Sequence, residues 1–266
     1  MLPITSFDFK RKIKSKIGVS IALTALALLI IGVFPSIQES GVDFGQYIEN
    51  LPPAFAKAFG ASIANYNTIE GFLSIEFYSF FWLAVLGAYF AYKGGSLISG
   101  EIENQRIDLI LSNPVSRTRI AIEKFLSLLP DILIINIIVA SSIYLGTIAI
   151  NEKIALNAIL KVHAASIPFW LACGALGLLI STIINQEKRS QLYAAGIIFA
   201  MYLIETITIE TKYEILSKLS FTHYYKPVNL LSLGEIEPNN VIILTTLTLI
   251  LVALSTIIFE KKDIKT

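Results

Sequence analysis

Six apolar stretches alternate along the chain with polar connectors. A helix rises 1.5 Å per residue, so about 20 apolar residues cover the ~30 Å of hydrocarbon in a bilayer. The pattern predicts spans at about residues 17–37, 72–92, 125–150, 160–184, 192–209 and 241–259. The expected fold class is all-α: a polytopic membrane protein with six transmembrane helices, residues 1–266 forming one domain. No tandem repeat or low-complexity tract interrupts that layout.

The polar connectors are of two kinds. Residues 1–16, a basic or interfacial segment, carry Lys10, Arg11, Lys12, Lys14 and Lys16. A basic run beside a span usually stays in the cytoplasm; the alternative, a signal-peptide start, fits poorly because the next apolar stretch is too long. With six spans and both termini cytoplasmic, 15 of the 21 Lys and Arg residues fall on inner segments. The other six are Lys57, Lys153, Lys161, Lys212, Lys218 and Lys226. In the outer connector after the first span, Leu51–Gly60 reads as a surface-lying amphipathic helix, or as a gate. Phe221–Pro227, in the outer connector before the last span, is aromatic and interfacial in character. The inner loop 185–191 carries Lys188 and Arg189, as a second contact for a partner or as an ordinary positive-inside signal.

The most polar inner connector, Lys93–Lys124, lies between the second and third spans. Asn113-Pro114 divides it, because a proline disfavours helix before it and suits the first turn after it. The pattern predicts one helix from about Leu97 to Leu111, with Ile98, Ile102 and Leu109 along one face and Glu101, Glu103, Arg106 and Asp108 directed elsewhere. A second helix is expected from near Pro114, carrying Arg117, Arg119, Glu123 and Lys124 into the third span.

Ser99-Gly100-Glu101, Ile107–Arg117 with its Asn-Pro-Val-Ser-Arg ending, and Glu123-Lys124 together resemble the signature loop of ABC type-2 exporter permeases. One departure stands out: relatives usually have a Gly-Thr pair after the acidic cluster, where this chain has Gln105-Arg106. The resemblance implies a coupling helix, in the loop between spans 2 and 3, that docks on a separate cytosolic ATPase. Carried onto this chain, the docking and coupling residues are Gly100, Glu101, Glu103, Arg106, Asp108, Pro114, Arg117, Arg119 and Lys124. The resemblance also implies an interfacial helix ahead of the first span. The permease would be paired with a second copy or a related chain.

Composition changes the picture little. The chain is 55% hydrophobic and 15% charged, with a formal net charge of +1, which suits membrane lipid and gives no sign of nucleic-acid binding. Its one cysteine, Cys173, cannot form a disulfide within the chain. The catalytic set expected is none and the metal site none: there is no zinc-helix motif, and the only histidines are His163 and His223. Gly94-Gly95-Ser-Leu-Ile-Ser-Gly100 lacks the Gly-Lys-Ser/Thr ending of a phosphate loop. The chain is thus expected to be no enzyme and to hold no cofactor, ATP and Mg being bound by the partner.

Ionisable residues within or near the spans remain. Glu76, Lys161, His163 and Glu205 fall near outer ends, where anchoring at the interface is one reading. A sharper reading gives Glu76 and Glu205 a place on the substrate path, at its outer exit. Asp131 is expected to pair with Arg117, Arg119 or Lys124. Ala172, Gly174, Ala175 and Gly177 should admit a neighbouring helix closely. The function expected is a permease subunit of an ATP-driven exporter in the cell membrane. The alternative is an ATPase-independent secondary transporter or channel, which predicts mid-membrane charges or broken helices in two corresponding halves.

Overall fold

The structure, a computed structural model, describes residues 13–40, 66–112, 114–208, 211–232, 234 and 236–263. The basic run Lys10–Lys12, the stretch Leu51–Gly60 and Asn113 lie outside these. Among the described residues every regular element is helical, and six helical stretches are long and apolar enough to cross a membrane.

The first span is α1 (Ile13–Glu39). The second joins α2 (Ile69–Leu73), a π-helical stretch Ser74–Val85 and α3 (Leu86–Gly95) without a break. Then come α4 (Ser99–Glu103), α5 (Ile107–Leu111) and α6 (Arg117–Leu126). α6 turns at Ser127-Leu128 into α7 (Leu129–Ala149) to make the third span. The fourth is α8 (Leu156–Ile183) and the fifth α9 (Glu187–Thr208). Two 3₁₀ turns, Glu214–Leu219 and Phe221–Tyr224, and α10 (Pro227–Ser232) lead to the sixth span, α11 (Pro238–Lys261).

Glycines decide which spans form the centre. A Cβ on Gly94 would meet the Gly174 carbonyl oxygen at 2.2 Å, and one on Gly177 would meet the Ala91 carbonyl oxygen at 2.2 Å. The second and fourth spans therefore cross backbone to backbone, the close approach that the small residues of the fourth span predict. Gly94-Gly95 is a helix crossing within this pair. The fifth span packs on the second, the sixth on the fourth, and the first on the third. Outward faces stay apolar, with Leu29, Ile137, Leu192, Ile207 and Leu249 exposed, as suits helices solvated by lipid tails.

The π-helical stretch is not signalled by hydrophobic spacing. Its i→i+5 hydrogen bonding, seen where the Leu86 N–H meets the Phe81 carbonyl, widens the helix and re-aims its side chains. Tyr78 and Trp82 both turn onto the His163 ring, the indole with a centroid distance of 4.4 Å. Trp82 also packs on Trp170, which stacks on Phe90. Phe77, Tyr78, Trp82 and Phe90 of the second span are thus core packing.

Two helix ends explain local chain reversals. After α4, Gln105 has φ 53°, its N–H bonds the Ile102 carbonyl, and the Arg106 N–H bonds the Glu101 carbonyl. That is a Schellman ending, which favours glycine at the left-handed position. The family's usual Gly and this chain's Gln105 occupy a place where backbone geometry explains the preference. It also corrects the expected Leu97–Leu111 helix, which is two helices separated by this turn. Asn151, with φ 61°, ends α7 in the same way.

Candidate functional site

At one end of the bundle α4, α5 and α6 form a charged element. Its inner side is pinned by ion pairs. The Glu101 carboxylate accepts from Arg106 Nε at 2.8 Å and from Lys124 Nζ at 2.9 Å, and Glu101 is only 7% exposed. Burial would raise the Glu101 pKa, but the hydrogen bonds and charges of Arg106 and Lys124 outweigh it and hold the carboxyl below the ordinary glutamate value. Glu123, also buried, accepts from Arg119 Nε at 2.8 Å. Asp131 pairs with Lys93 of the second span, a partner the sequence reading did not name. The reason is the helix crossing: Lys93 precedes Gly94-Gly95 and is carried to the start of α7.

The element is also fastened to the fifth span. Glu103 Oε2 accepts from the Glu187 backbone N–H at 2.6 Å, satisfying an open donor at the start of α9. Asn104 Nδ2 reaches the Gly100 carbonyl at 2.7 Å and Glu187 Oε2 at 3.4 Å. A Cβ on Gly100 would meet the Glu187 carboxyl carbon at 2.9 Å, so Gly100 is where this contact closes. The inner loop 185–191 thus abuts the element.

The outer side of the element is open. Glu103, Asp108, Ser112, Pro114 and Arg119 are exposed, and Leu109 is 70% exposed. The expected apolar face of Ile98, Ile102 and Leu109 does not exist as one surface. Ile98 is buried and Ile102 packs on the core, whereas the Gln105 turn rotates Leu109 outward. α6 begins at Arg117 rather than near Pro114, because Ser116 has extended geometry and its hydroxyl accepts from the Arg119 N–H at 3.2 Å. Arg117 itself turns back to the end of α11, where its Nη1 donates to the Lys262 carbonyl at 2.5 Å.

The mid-bundle polar residues form a separate group. Asn136 Nδ2 donates to the Ile132 carbonyl at 3.0 Å, which leaves Oδ1 facing His163 Nδ1 at 3.0 Å. An amide oxygen only accepts, so His163 carries its proton on Nδ1 and its Nε2 accepts from the Tyr78 hydroxyl at 3.0 Å. The Ser166 hydroxyl lies 3.0 Å from Oδ1 and 2.7 Å from the His163 carbonyl. Both ring nitrogens are occupied, so His163 ties the second, third and fourth spans together. It is 4% exposed and is not an interfacial anchor. Nearby, Trp82 Nε1 donates to the Tyr225 hydroxyl at 3.0 Å, which donates to the Val162 carbonyl at 3.0 Å. Tyr225, read from sequence as interfacial, therefore reaches into the core.

Six apolar helices in this packing, with one charged element between the second and third, are the frame in which the sequence comparisons fall. The model of the ABC-2 family transporter proteins matches residues 2–264. The chain belongs to the ABC-2 transporter family. As a member it is a multi-pass membrane protein, the membrane subunit of an ABC transporter. Comparison with curated proteins finds no match. Within this ABC-2 subunit, Glu76 and Glu205 take separate partners. The Tyr66 hydroxyl donates to Glu76 Oε1 at 2.7 Å, and Glu205 Oε1 lies 3.8 Å from His223 Nδ1.

Sequence reasoning missed Glu187 as a partner of the element and Leu109 as an exposed apolar tip. The departure at Gln105 from the family's usual glycine was the one available signal for the turn that exposes Leu109.

Proposed function

We propose that the chain is the permease subunit of an ATP-driven exporter, and that the element from Ser99 to Lys124 is its coupling helix against a separate cytosolic ATPase. The observation that carries this reading is the two-sided construction of the element. Its inner side is held by Glu101, Lys124 and Glu123, while its outer side exposes an apolar tip, Leu109, together with the polar Glu103, Asp108 and Arg119 and with Pro114. A desolvated apolar anchor inside a polar rim is the arrangement that dominates protein interfaces. Asp108, Leu109, Pro114 and Arg119 are then the residues that touch the ATPase. Gly100, Glu101, Arg106 and Lys124 hold the tip in position, with Glu103 bridging to the fifth span. Both termini lie on the cytoplasmic side with the element.

ATP and Mg are bound by the partner, whose closure presses on the tip. The ion-paired base passes that force to the second and third spans, and Glu103 passes it to the fifth. This is rigid-body coupling through one docked element. Because Phe77, Tyr78, Trp82 and Trp170 are fully packed within one chain, the substrate route runs between two permease chains, whose apolar outward faces suit a lipid-like or hydrophobic substrate. Glu76 and Glu205, at the opposite end, line its exit.

The test is purification of the tagged chain in mild detergent, with companions identified by mass spectrometry. A stoichiometric soluble ATPase is expected, and Leu109→Asp or Asp108→Arg should release it without changing the size-exclusion profile of the permease. A chain that carries no ATPase, even with ATP present, would refute the coupling reading.

A further inference from the structure

The Asn-Pro-Val-Ser-Arg stretch ends in Arg117, and the geometry there points away from a docking surface. Arg117 opens α6, and its Nη1 lies 3.3 Å from the Phe259 carbonyl, 3.4 Å from that of Glu260 and 2.5 Å from that of Lys262. The guanidinium carbon sits 5.8 Å from the centre of the buried Phe259 ring. One residue on, the Thr118 hydroxyl donates to the Glu260 carboxylate. Lys262 in turn extends its ammonium to the Thr182 carbonyl at 2.6 Å, at the last turn of the fourth span.

These contacts meet a definite need. The last four carbonyls of a helix have no partner within it and form the negative end of its dipole. A guanidinium is always charged and offers a rigid fork of donors, so one side chain can serve several carbonyls. Arg117 does this for the sixth span and Lys262 does it for the fourth. Arg117 and Lys262 therefore close two helix ends, and the end of the sixth span is joined both to the start of α6 and to the end of the fourth span.

We propose that Arg117 is a positioning residue that latches the charged element to the cytoplasmic end of the sixth span, so that the element, the sixth span and the fourth span move as one body. The proposal rests on the coupling reading above. The Lys93–Asp131 ion pair ties the second span to the third, into which the element runs, and the hydrogen bond from the Glu187 backbone N–H to Glu103 ties the element to the fifth. The Arg117 contacts reach the sixth and fourth spans by an independent route. A movement imposed at Leu109 would then be delivered to all four, and the first span would follow through its packing on the third.

The test uses the full chain purified with its ATPase. Permease-dependent ATP hydrolysis is compared for Arg117→Ala, for the milder Arg117→Lys, and for Arg117→Ala carrying Thr118→Cys and Glu260→Cys. The engineered pair is joined by a short bis-methanethiosulfonate reagent; the one native cysteine, Cys173, is buried. Arg117→Ala is expected to keep the ATPase bound at native stoichiometry while the permease-dependent rate falls about tenfold, within the usual range of coupling between sites. Arg117→Lys should fall between the two, because a single ammonium still caps the helix end. Joining residues 118 and 260 should restore most of the lost rate, which a residue acting by contact with the ATPase or by general folding would not allow. Release of the ATPase by Arg117→Ala would make Arg117 a docking residue and overturn the latch. So would failure of the joined pair to restore the rate in a monodisperse complex. A native chain that holds no ATPase at all would instead defeat the coupling reading on which the latch depends.

Discussion

Replacing Glu101 by alanine removes the acceptor of two hydrogen-bonded cations at once. The Lys124 side chain is 5% exposed and that of Glu101 10%, so the variant takes a carboxylate away from a buried ammonium. Breaking a buried pair by removing one partner costs about 3–5 kcal/mol. Arg106, with its side chain 37% exposed, stays solvated, and its share is at most about 1 kcal/mol. Taking about 4 kcal/mol in all, and about 2–4 °C per kcal/mol for a chain of this size, the unfolding midpoint should fall by about 10 °C. The assay is thermal unfolding in mild detergent, followed by size-exclusion fluorescence. Asp108→Ala is the control: it is exposed and should stay within about 0.5 kcal/mol of the native chain, although it lies on the proposed docking tip. Replacing the pair together, Glu101→Leu with Lys124→Met, should recover most of the loss, because both buried charges are removed. The effect has a pH signature as well. The folded-state pKa of Glu101 is lowered, so its ionic stabilisation is complete above the ordinary glutamate value of about 4.3 and is lost as the pH falls below it through the folded value. The gap between native and Glu101→Ala should therefore be full at neutral pH and shrink in acid. A midpoint for Glu101→Ala equal to that of Asp108→Ala would refute the assignment of Glu101 to the base of the element.

Other consequences are open to the same assay. Tyr78→Phe deprives His163 Nε2 of its donor and should cost about 1–2 kcal/mol, with no effect on ATPase binding. Gly177→Ala places a methyl group 2.2 Å from the Ala91 carbonyl oxygen and should abolish the folded size-exclusion peak. Gly196→Ala, with nothing within 4 Å of its new methyl group, should be tolerated. Gln105→Gly relieves a left-handed residue at about 1–2 kcal/mol but adds about 0.5–1 kcal/mol of backbone entropy, so a small net gain in midpoint is expected.

The number of spans, the charged element and the family were all legible in the sequence. Each rests on a local or additive property: apolar length against bilayer thickness, lysine and arginine placement, and a motif read residue by residue. A helix break around Pro114, between Leu111 and Arg117, was legible for the same reason, since proline geometry is local. Small residues in the fourth span announced a close crossing, but not that its partner would be Gly94-Gly95.

Only the tertiary structure decided which charges face inward. Glu101 and Asp108 look alike in a charge pattern, yet one is buried between Lys124 and Arg106 and the other is exposed. The difference comes from a left-handed Gln105 and from an Arg117 that turns to another helix end. The π-helical stretch that turns Tyr78 and Trp82 toward His163 is likewise beyond hydrophobic spacing, because the spacing of apolar residues does not encode an i→i+5 hydrogen-bond pattern. Pairing between residues such as Lys93 and Asp131, or Arg117 and Lys262, depends on how whole helices cross. Pattern and composition determined what the chain can bury; the crossing of the second and fourth spans determined which polar groups meet once it is buried.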